Sequence, residues 1–482
     1  MTTVLTRRNF IATPALTAAS LGLPRRVWAA DHTPLVLTAT TRTLDIDGRA
    51  ATVWGLVNAQ GGIGLTLDAG ARFRVDLTNA LDEDTIIHWH GQIPPDAQDG
   101  VPAIPMPMLK PGEMRAFDYA TKPGTHWMHS HVPVQEMQLL AAPLIVRSAA
   151  DLTADRQEVV LFLHDFSFRP AAEVLAEITG GDGSMAGMDT GAATPAPDPM
   201  AEMDMGSPAG MAMDLNDFNF DAYLANDRTL NDPEVIQVDN GGRVRLRIIN
   251  AAAATVFWID TGAEQGRLVA VDGQDVQPLP GRRFGLAMGQ RLDIELDLPK
   301  GEGAFPVLAL REGAVERTGI ILATAGATIE KLAGVGETAA AFDTDLAQEA
   351  SLRAMIPQAE RPADMAAMLM LGGSMQPYLW TINGQTWGSH TPVTARTGQR
   401  VEITFHNMSM MAHPMHLHGH TFQVVAINGK RLAGAMRDTV QVPPMAMVTV
   451  AVDAGEAARW MLHCHHMPHL STGMMTEFAV SA

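Results

Sequence analysis

The sequence predicts an all-β protein built from three related Greek-key β-sandwich domains. Three observations carry this prediction: the chain has 482 residues, it combines 43 glycines and 30 prolines with only 18% charged residues, and one strand-like pattern recurs three times. A chain of this length is expected to form two to four domains rather than one core. Frequent turn residues with few charges are typical of short strands joined by turns.

The repeated pattern occupies residues 70–79, 241–250 and 398–407. Each copy begins with glycine, has arginine at its third position, ends with asparagine and alternates apolar with other residues in between. This alternation predicts a half-buried strand, because successive side chains of a strand point to opposite faces. Three copies at near-equal spacing indicate three related domains, which we predict at 31–150, 151–325 and 326–482.

Further short strands are predicted at 85–90, 158–163, 378–382, 422–427 and 459–463 from their apolar patterns. Short strands at this density favour Greek-key sandwiches. Helical patterns are scarce, and the best two lie at 171–178 and 346–355. The second follows Asp343 and Asp345, whose carboxylates are suited to capping a helix N-terminus.

The first 30 residues resemble a twin-arginine export signal. Arg7 and Arg8 precede Phe10, an apolar stretch and a small-residue site at Ala29 and Ala30. We therefore expect the twin-arginine machinery to export the protein to the periplasm. No later apolar run reaches about 18 residues, so we expect no membrane span. A net charge of −19 without a basic patch disfavours nucleic acid as a partner.

The single cysteine lies in a histidine-rich segment near the end of the chain. His463, Cys464, His465 and His469 are followed by Met474, and Cys464 is the only cysteine. One thiolate, two imidazoles and a weak thioether are the ligands of a blue electron-transfer copper. The segment supplies all of these except one imidazole, for which the histidine cluster at 413–420 is the obvious donor.

Four histidine pairs have a single residue between their two members: His88 and His90, His129 and His131, His416 and His418, and His463 and His465. On a strand, residues i and i+2 share a face, so each pair projects together and the four pairs could surround one cluster of metals. Cys464 would then point to the opposite face, behind the cluster. The pairs occur only in the first and third predicted domains, which predicts a cluster where these two meet, with the middle domain as a spacer.

The motifs HWHG at 88–91, HSH at 129–131, HPMHLHGH at 413–420 and HCHHMPH at 463–469 resemble, in the same order, the copper-binding motifs of multicopper oxidases. The resemblance spans the whole chain after the export signal. It implies three cupredoxin-like domains and four copper ions, namely one type 1, one type 2 and a type 3 pair. It also implies that one-electron oxidation of Cu(I), a phenolic compound or both is coupled to four-electron reduction of O₂ to water.

The resemblance also implies a role for each motif residue. The type 1 copper would bind to His413, Cys464 and His469, with Met474 as the axial ligand. The type 2 copper would bind to His88 and His416. The type 3 pair would bind to His90, His129, His131, His418, His463 and His465. Electrons would enter at the type 1 copper through His413 and His469, whose exposed edges would face the substrate.

Asp99 matches the family's carboxylate that delivers protons to the three-copper site, although a turn-capping aspartate before Gly100 is the alternative. Leu470 stands where several bacterial members have a second, proton-carrying glutamate. Residues 180–216 contain seven methionines and no periodicity. Because soft thioethers bind Cu(I), this stretch either recruits Cu(I) near the type 1 copper or is a flexible linker.

Other classes of function remain open at this point. One is a periplasmic copper-binding or sequestration protein of copper resistance in which oxidase activity is incidental. Another is a relative that kept the fold and lost its metals, although no ligand is missing here. A copper nitrite reductase is a weaker alternative, since such chains usually have two domains and lack the four histidine pairs.

Overall fold

Strands dominate the computed structural model, which describes residues 33–180 and 215–482. The predicted export signal lies outside the described residues, and so do all seven methionines of the 180–216 stretch. Within the two described ranges, no helix is long and apolar enough to cross a membrane. The predicted all-β fold class is confirmed.

The first sandwich packs the sheet β2-β1-β4-β8 against the sheet β3-β10-β9-β5. Its strands are β1 (Leu35–Ile46), β2 (Arg49–Asn58), β3 (Leu65–Leu67), β4 (Arg72–Asn79), β5 (Ile87–His88), β6 (Val101–Pro102), β7 (Pro105–Met106), β8 (Met114–Ala120), β9 (Gly124–Ser130) and β10 (Ala141–Val146). Strands β6 and β7 form a separate two-stranded sheet, and helix α1 (Pro133–Glu136) follows β9. Buried residues of both sheets, among them Leu37, Phe73 and Leu144, form one core.

The middle sandwich packs the sheet β12-β11-β14-β19-β16-β17 against the sheet β13-β21-β20-β15-β18. Its strands are β11 (Gln157–Phe166), β12 (Ala222–Ala225), β13 (Val235–Gln237), β14 (Arg243–Asn250), β15 (Phe257–Asp260), β16 (Gly266–Val271), β17 (Gln274–Gly281), β18 (Arg283–Leu286), β19 (Arg291–Asp297), β20 (Ala304–Arg311) and β21 (Arg317–Ala323). Helix α2 (Ala171–Thr179) follows β11. Leu246, Phe284 and Ile320 belong to the core between the sheets.

The third sandwich packs the sheet β23-β22-β25-β31-β27-β28, with β29 beside β27, against the sheet β24-β33-β32-β26-β30. Its strands are β22 (Met365–Met375), β23 (Tyr378–Ile382), β24 (Val393–Arg396), β25 (Arg400–Asn407), β26 (His413–Leu417), β27 (Phe422–Ile427), β28 (Lys430–Arg431), β29 (Met436–Arg437), β30 (Thr439–Val442), β31 (Met447–Asp453), β32 (Arg459–Cys464) and β33 (Met475–Ser481). Helix α3 (Ala347–Ser351) precedes β22, and helix α4 (Met467–Ser471) follows β32.

The three copies of the repeated pattern are confirmed as equivalent strands, β4, β14 and β25. The asparagine that ends each strand, Asn79, Asn250 or Asn407, is fully buried. In each case its side-chain oxygen accepts from the backbone N–H two residues later, and its amide donates to backbone carbonyls of the loops around it. The asparagine recurs because it fixes the loop that leaves the strand.

The remaining predicted strands are all present, although only two residues of the segment 85–90 are in a strand, β5. The helix predicted at 171–178 is confirmed as α2. The helix predicted at 346–355 is shorter, because the backbone of Arg353 and Met355 hydrogen-bonds to Gln277 and Asp275 of β17. The predicted cap is present in part: the Asp343 carboxylate accepts from the backbone N–H of Ala347.

Candidate metal centres

Strand register aligns the histidine pairs before the sandwiches meet. In the first sandwich β5 pairs with β9 so that His88 lies opposite His129. In the third sandwich β26 pairs with β32 so that His416 lies opposite His463. Each sandwich therefore presents two of the four pairs side by side at the end of one sheet.

The structure brings all eight paired imidazoles together across the first and third sandwiches. Ring centroids lie 3.8 Å apart for His88 and His418 and also for His90 and His416. They lie 5.1 Å apart for His131 and His463 and also for His129 and His465. None of these side chains is more than 1% exposed. These eight side chains form the histidine cluster.

The expectation that each pair lies within a strand is wrong in detail. His88, His129, His416 and His463 lie in strands, whereas the second member of each pair lies just beyond a strand end. The rings of each pair remain on one side, with centroids between 4.8 and 6.2 Å apart.

Most of the imidazoles form a hydrogen bond through the ring nitrogen that faces away from the centre of the histidine cluster, which we call the outer nitrogen. His88 Nδ1 donates to the Asp99 carbonyl (2.8 Å), His416 Nδ1 to the Asp438 carbonyl (2.9 Å) and His463 Nδ1 to the Cys464 carbonyl (2.9 Å). The opposite nitrogens point inward, where His416 Nε2 is 3.4 Å from His88 Nε2. A carbonyl can only accept, so these contacts fix the tautomer and leave the inner nitrogen with a free lone pair.

Several ring nitrogens of the cluster lack hydrogen-bond partners among the described residues. Neither nitrogen of His131 or His465 has a hydrogen-bond partner, nor does His129 Nε2 or His90 Nδ1. An unpaired polar atom in a buried site is costly unless another ligand satisfies it. Burial is the main cause that lowers the pKa of His90, His129, His131, His416, His418, His463 and His465, so these imidazoles are neutral at pH 7. Neutral imidazoles with free lone pairs fit a copper cluster.

Cys464 lies on the opposite face from its two histidine neighbours. Its Sγ is 3.7 Å from His413 Nδ1 and 3.6 Å from His469 Nδ1, and these two nitrogens are 3.1 Å apart. Burial raises the pKa of the Cys464 thiol, so a bound cation is needed to hold the thiolate. Met474 is buried in the same core, and its carbonyl accepts from the Cys464 N–H (3.1 Å). This set fits a second, separate metal.

His413 and His469 do not have the exposed edges that the sequence predicted. Both side chains are 0% exposed. The Trp380 ring lies over His469, with centroids 4.1 Å apart, and His469 Nε2 faces the Asp217 carboxylate at 3.8 Å. The Tyr378 hydroxyl in turn donates to Asp217. These side chains close the edge because β23 packs against helix α4, which carries His469.

Asp99 joins the first and third sandwiches at the histidine cluster. Its Oδ2 accepts from His418 Nδ1 (2.8 Å), and its backbone carbonyl accepts from His88 Nδ1. Its Oδ1 has no hydrogen-bond partner among the described residues and lies 3.4 Å from His88 Nδ1. Asp99 therefore does more than cap a turn, because it contacts one histidine from each side of the cluster.

Sequence reasoning missed three further side chains at these sites. Ser409 Oγ lies 2.9 Å from His413 Nε2, Glu136 Oε2 lies 2.8 Å from His129 Nδ1, and Asp438 Oδ1 lies 3.2 Å from His90 Nε2. None of them has a metal-ligand spacing that would have identified it. Leu470, by contrast, is buried in an apolar cluster with Met467.

The middle sandwich is not only a spacer. Gly289, in the turn before β19, approaches the histidine cluster so closely that a β-carbon there would lie 2.8 Å from His465 Cδ2 and 3.2 Å from His90 Cε1. Its φ of +76° also favours glycine. The prediction of a spacer is incomplete, because the lack of ligands in this segment says nothing about which backbone packs against the ligands.

Comparisons with known proteins agree with this arrangement. Three family models described as multicopper oxidase match residues 38–151, 194–326 and 360–482. The multicopper oxidase MmcO of Mycobacterium tuberculosis is 29% identical over 449 residues, covering 92% of this chain and 86% of that protein. Copper resistance protein A of Escherichia coli is 26% identical over 532 residues, covering 85% and 86%. The crystal structure of the laccase from Botrytis aclada has a TM-score of 0.72 at 21% identity, covering 92% of this chain and 87% of the laccase, and thus shares the fold.

Proposed function

The chain belongs to the multicopper oxidase family of copper-dependent oxidoreductases that use O₂, and from this premise we propose that it couples oxidation of Cu(I), a phenolic compound or both to the four-electron reduction of O₂ to water. One observation carries the proposal: eight buried imidazoles from the two ends of the chain converge, with the only thiol directly behind them. Such a set has no structural use without metal, since burying unpaired imidazoles is costly.

We assign four copper ions to these residues. His413, Cys464, His469 and Met474 would hold a type 1 copper, and His88 with His416 would hold a type 2 copper. A type 3 pair would be held by His90, His129, His131, His418, His463 and His465. Bound copper supplies one-electron redox chemistry, in which single electrons from a reductant are collected until O₂ can be reduced to water.

The protein's own groups serve this chemistry in two ways. Cys464 is bonded through the backbone to both His463 and His465, so the thiolate and the histidine cluster are joined covalently. The exclusion of bulk water from the buried cluster favours the neutral form of His90, His129, His131, His416, His418, His463 and His465, which keeps lone pairs available on these rings. Asp99 would hold a proton at Oδ1, which has no hydrogen-bond partner among the described residues, and supply it for the formation of water.

We further propose that the protein is exported to the periplasm by the twin-arginine route, on the strength of Arg7, Arg8 and the residues after them. Domain boundaries near residues 150 and 325 are supported by the gaps between β10 and β11 and between β21 and β22. Both proposals concern the chain outside the metal sites and do not affect their chemistry.

Copper sequestration with incidental oxidase activity is the second candidate. It is favoured by thioethers on the surface, since Met368, Met370 and Met408 are 57%, 45% and 49% exposed and soft sulfur binds Cu(I). The complete histidine cluster and the position of Asp99 favour turnover instead.

Copper-loaded protein tests the proposal. We expect about four coppers per chain, an intense thiolate-to-copper absorption that Cys464→Ser abolishes, and O₂ consumption with Cu(I), a phenol or a bilirubin-like donor compared side by side. Far fewer than four coppers, or no such absorption, would contradict the proposal. Full copper loading without O₂ consumption by any donor would favour sequestration.

A further inference from the structure

A buried ion pair connects the middle sandwich to the third. Arg291, the first residue of β19, is 0% exposed and Asp438, between β29 and β30, is 1% exposed. Arg291 Nη1 donates to Asp438 Oδ1 (2.7 Å) and Arg291 Nη2 donates to Asp438 Oδ2 (2.5 Å). A two-pronged contact of this kind fixes the plane of the carboxylate as well as its distance.

The fixed carboxylate touches the histidine cluster. His90 Nε2 lies 3.2 Å from Asp438 Oδ1 and 3.1 Å from Thr439 Oγ1, and the Thr439 hydroxyl itself donates to Asp438 Oδ1. His90 Nε2 therefore carries the hydrogen, which leaves Nδ1 free to face the other imidazoles. This is the reverse of His88 and His416, which use Nδ1 as the outer nitrogen. The tautomer of His90 thus depends on Asp438.

Asp438 also contacts His416, the histidine of the third sandwich that is assigned to the type 2 copper. The Asp438 backbone carbonyl accepts from His416 Nδ1 (2.9 Å). Asp438 therefore orients two histidines. Its side chain contacts His90 of the first sandwich, and its backbone carbonyl contacts His416 of the third sandwich. A shift of Asp438 would move both outer contacts at once.

Arg291 is itself held from two sandwiches. Its Nε donates to the Thr125 carbonyl of the first sandwich (3.2 Å), and its Nη1 also donates to the Gly289 carbonyl of the middle one (2.9 Å). Asp272 of the middle sandwich accepts from the backbone N–H of Arg291 (3.0 Å) and from that of Thr439 (3.3 Å). The guanidinium is thus placed where all three sandwiches meet.

We propose that Arg291 is a positioning residue of the three-copper site, which acts through Asp438 on His90 and His416. The inference rests on the proposed function, since it assigns to the middle domain a part in holding the type 2 and type 3 coppers. Lysine would keep the charge, but it cannot donate to both carboxylate oxygens and to the Thr125 and Gly289 carbonyls together. Methionine would remove the charge and leave the Asp438 carboxylate free to rotate away from His90.

The test compares Arg291→Lys and Arg291→Met with matched substitutions at Arg247. Arg247 lies in the same sandwich, is also 0% exposed, pairs with Asp293 (Nη1–Oδ2 3.0 Å) and donates to Thr125 Oγ1 (3.1 Å). Its carboxylate partners hydrogen-bond no histidine in the parts of the chain that the structure describes. Each variant is loaded with copper and dialysed against increasing concentrations of a chelator. We then measure the copper content per chain, the electron paramagnetic resonance spectrum of the type 2 copper and the thiolate absorption. The thermal midpoint of unfolding is measured separately on each copper-free variant.

Loss of an outer hydrogen-bond partner is expected to weaken metal retention by about 10- to 100-fold. We expect Arg291→Met to fall towards one copper per chain with a thiolate absorption like that of the parent, because the type 1 ligands lie in the third sandwich alone. Arg291→Lys should give an intermediate loss and an altered type 2 spectrum, and it carries the test if Arg291→Met does not fold. The Arg247 variants should keep the parental copper content.

Two results would overturn the inference. One is a parental copper content and type 2 spectrum in both Arg291 variants; the other is an equal loss in the Arg247 variants, which would indicate general destabilisation. A parent protein that binds no copper would instead refute the proposed function, so the two failures are distinguishable.

Discussion

Replacing Gly289 by alanine should disturb the histidine cluster, although Gly289 itself contributes no side chain to it. Gly289 lies between β18 and β19, and an added β-carbon would lie 2.8 Å from His465 Cδ2, 2.9 Å from His465 Cγ and 3.2 Å from His90 Cε1. Ordinary contact begins at 3.4 Å. The His465 ring must therefore retreat by about 0.6 Å, or the turn must move by the same amount, since carbon atoms repel steeply inside contact distance.

The size of the effect follows from two terms. The φ of +76° costs alanine about 1 kcal/mol relative to glycine, which lowers stability without touching the site. The displacement of one imidazole is a separate term, and misplacement of a reacting group by about 1 Å can reduce a rate about 100-fold. We therefore expect turnover to fall roughly 10- to 100-fold, together with a changed type 2 resonance spectrum.

Gly262→Ala provides the matched control. Gly262 also has a positive φ, +65°, but the nearest atom to its added β-carbon is the Pro306 carbonyl oxygen at 3.7 Å. Both variants are loaded with copper, and O₂ consumption, copper content and thermal midpoint are measured on each. We expect Gly289→Ala and Gly262→Ala to lose similar amounts of stability, and we expect only Gly289→Ala to lose turnover. Parental turnover and spectrum in Gly289→Ala would refute the placement of the middle sandwich against the cluster.

Three further predictions concern separate features. Asp99→Asn keeps an oxygen for His418 Nδ1 but removes the ionisable group, so turnover should fall about 100-fold or more with copper content unchanged; an unchanged rate would exclude the proton-donor role. Deleting 183–213 should lower the rate with Cu(I) and spare the rate with phenols if this stretch recruits Cu(I), whereas two unchanged rates would identify a linker. Burial raises the pKa of Glu312 to about 7, so the folded protein retains a proton that the unfolded chain has already lost, and stability declines as the pH rises from about 4.5 to 7. Glu312→Gln should therefore be equal in stability to the parent at pH 4 and more stable by about 3 kcal/mol at pH 8; an equal gap at both pH values would contradict the assignment.

The local sequence pattern was sufficient to predict the strands and the types of ligand at the candidate metal centres. The alternation at 72–79, 243–250 and 400–407 identifies strands because burial of one face acts on every second residue. The His-x-His spacing indicates that the two imidazoles of a pair lie close together, although the second lies just beyond a strand end, and it separates Cys464 from its neighbours. The resemblance to multicopper oxidases rests on these same short motifs, and the family membership is now established.

Packing between the sandwiches determined the contacts around the histidine cluster, which no short segment of the sequence predicts. Arg291 and Asp438 are far apart in the chain, and neither lies in a motif, so only the docking of three sandwiches brings them to His90. The predicted exposure of His413 and His469 was wrong for a related reason, because the side chains that cover His469 come from a distant strand and loop.

The sequence by itself therefore determined the strands, the ligand types and the side of the chain on which each ligand projects, since these depend on residues within a few positions of one another. The tertiary structure alone decided that the middle sandwich closes the cluster, which outer group holds each imidazole and how the cysteine site is covered. These features depend on distances between surfaces that meet only after folding, and no periodicity along the chain records them.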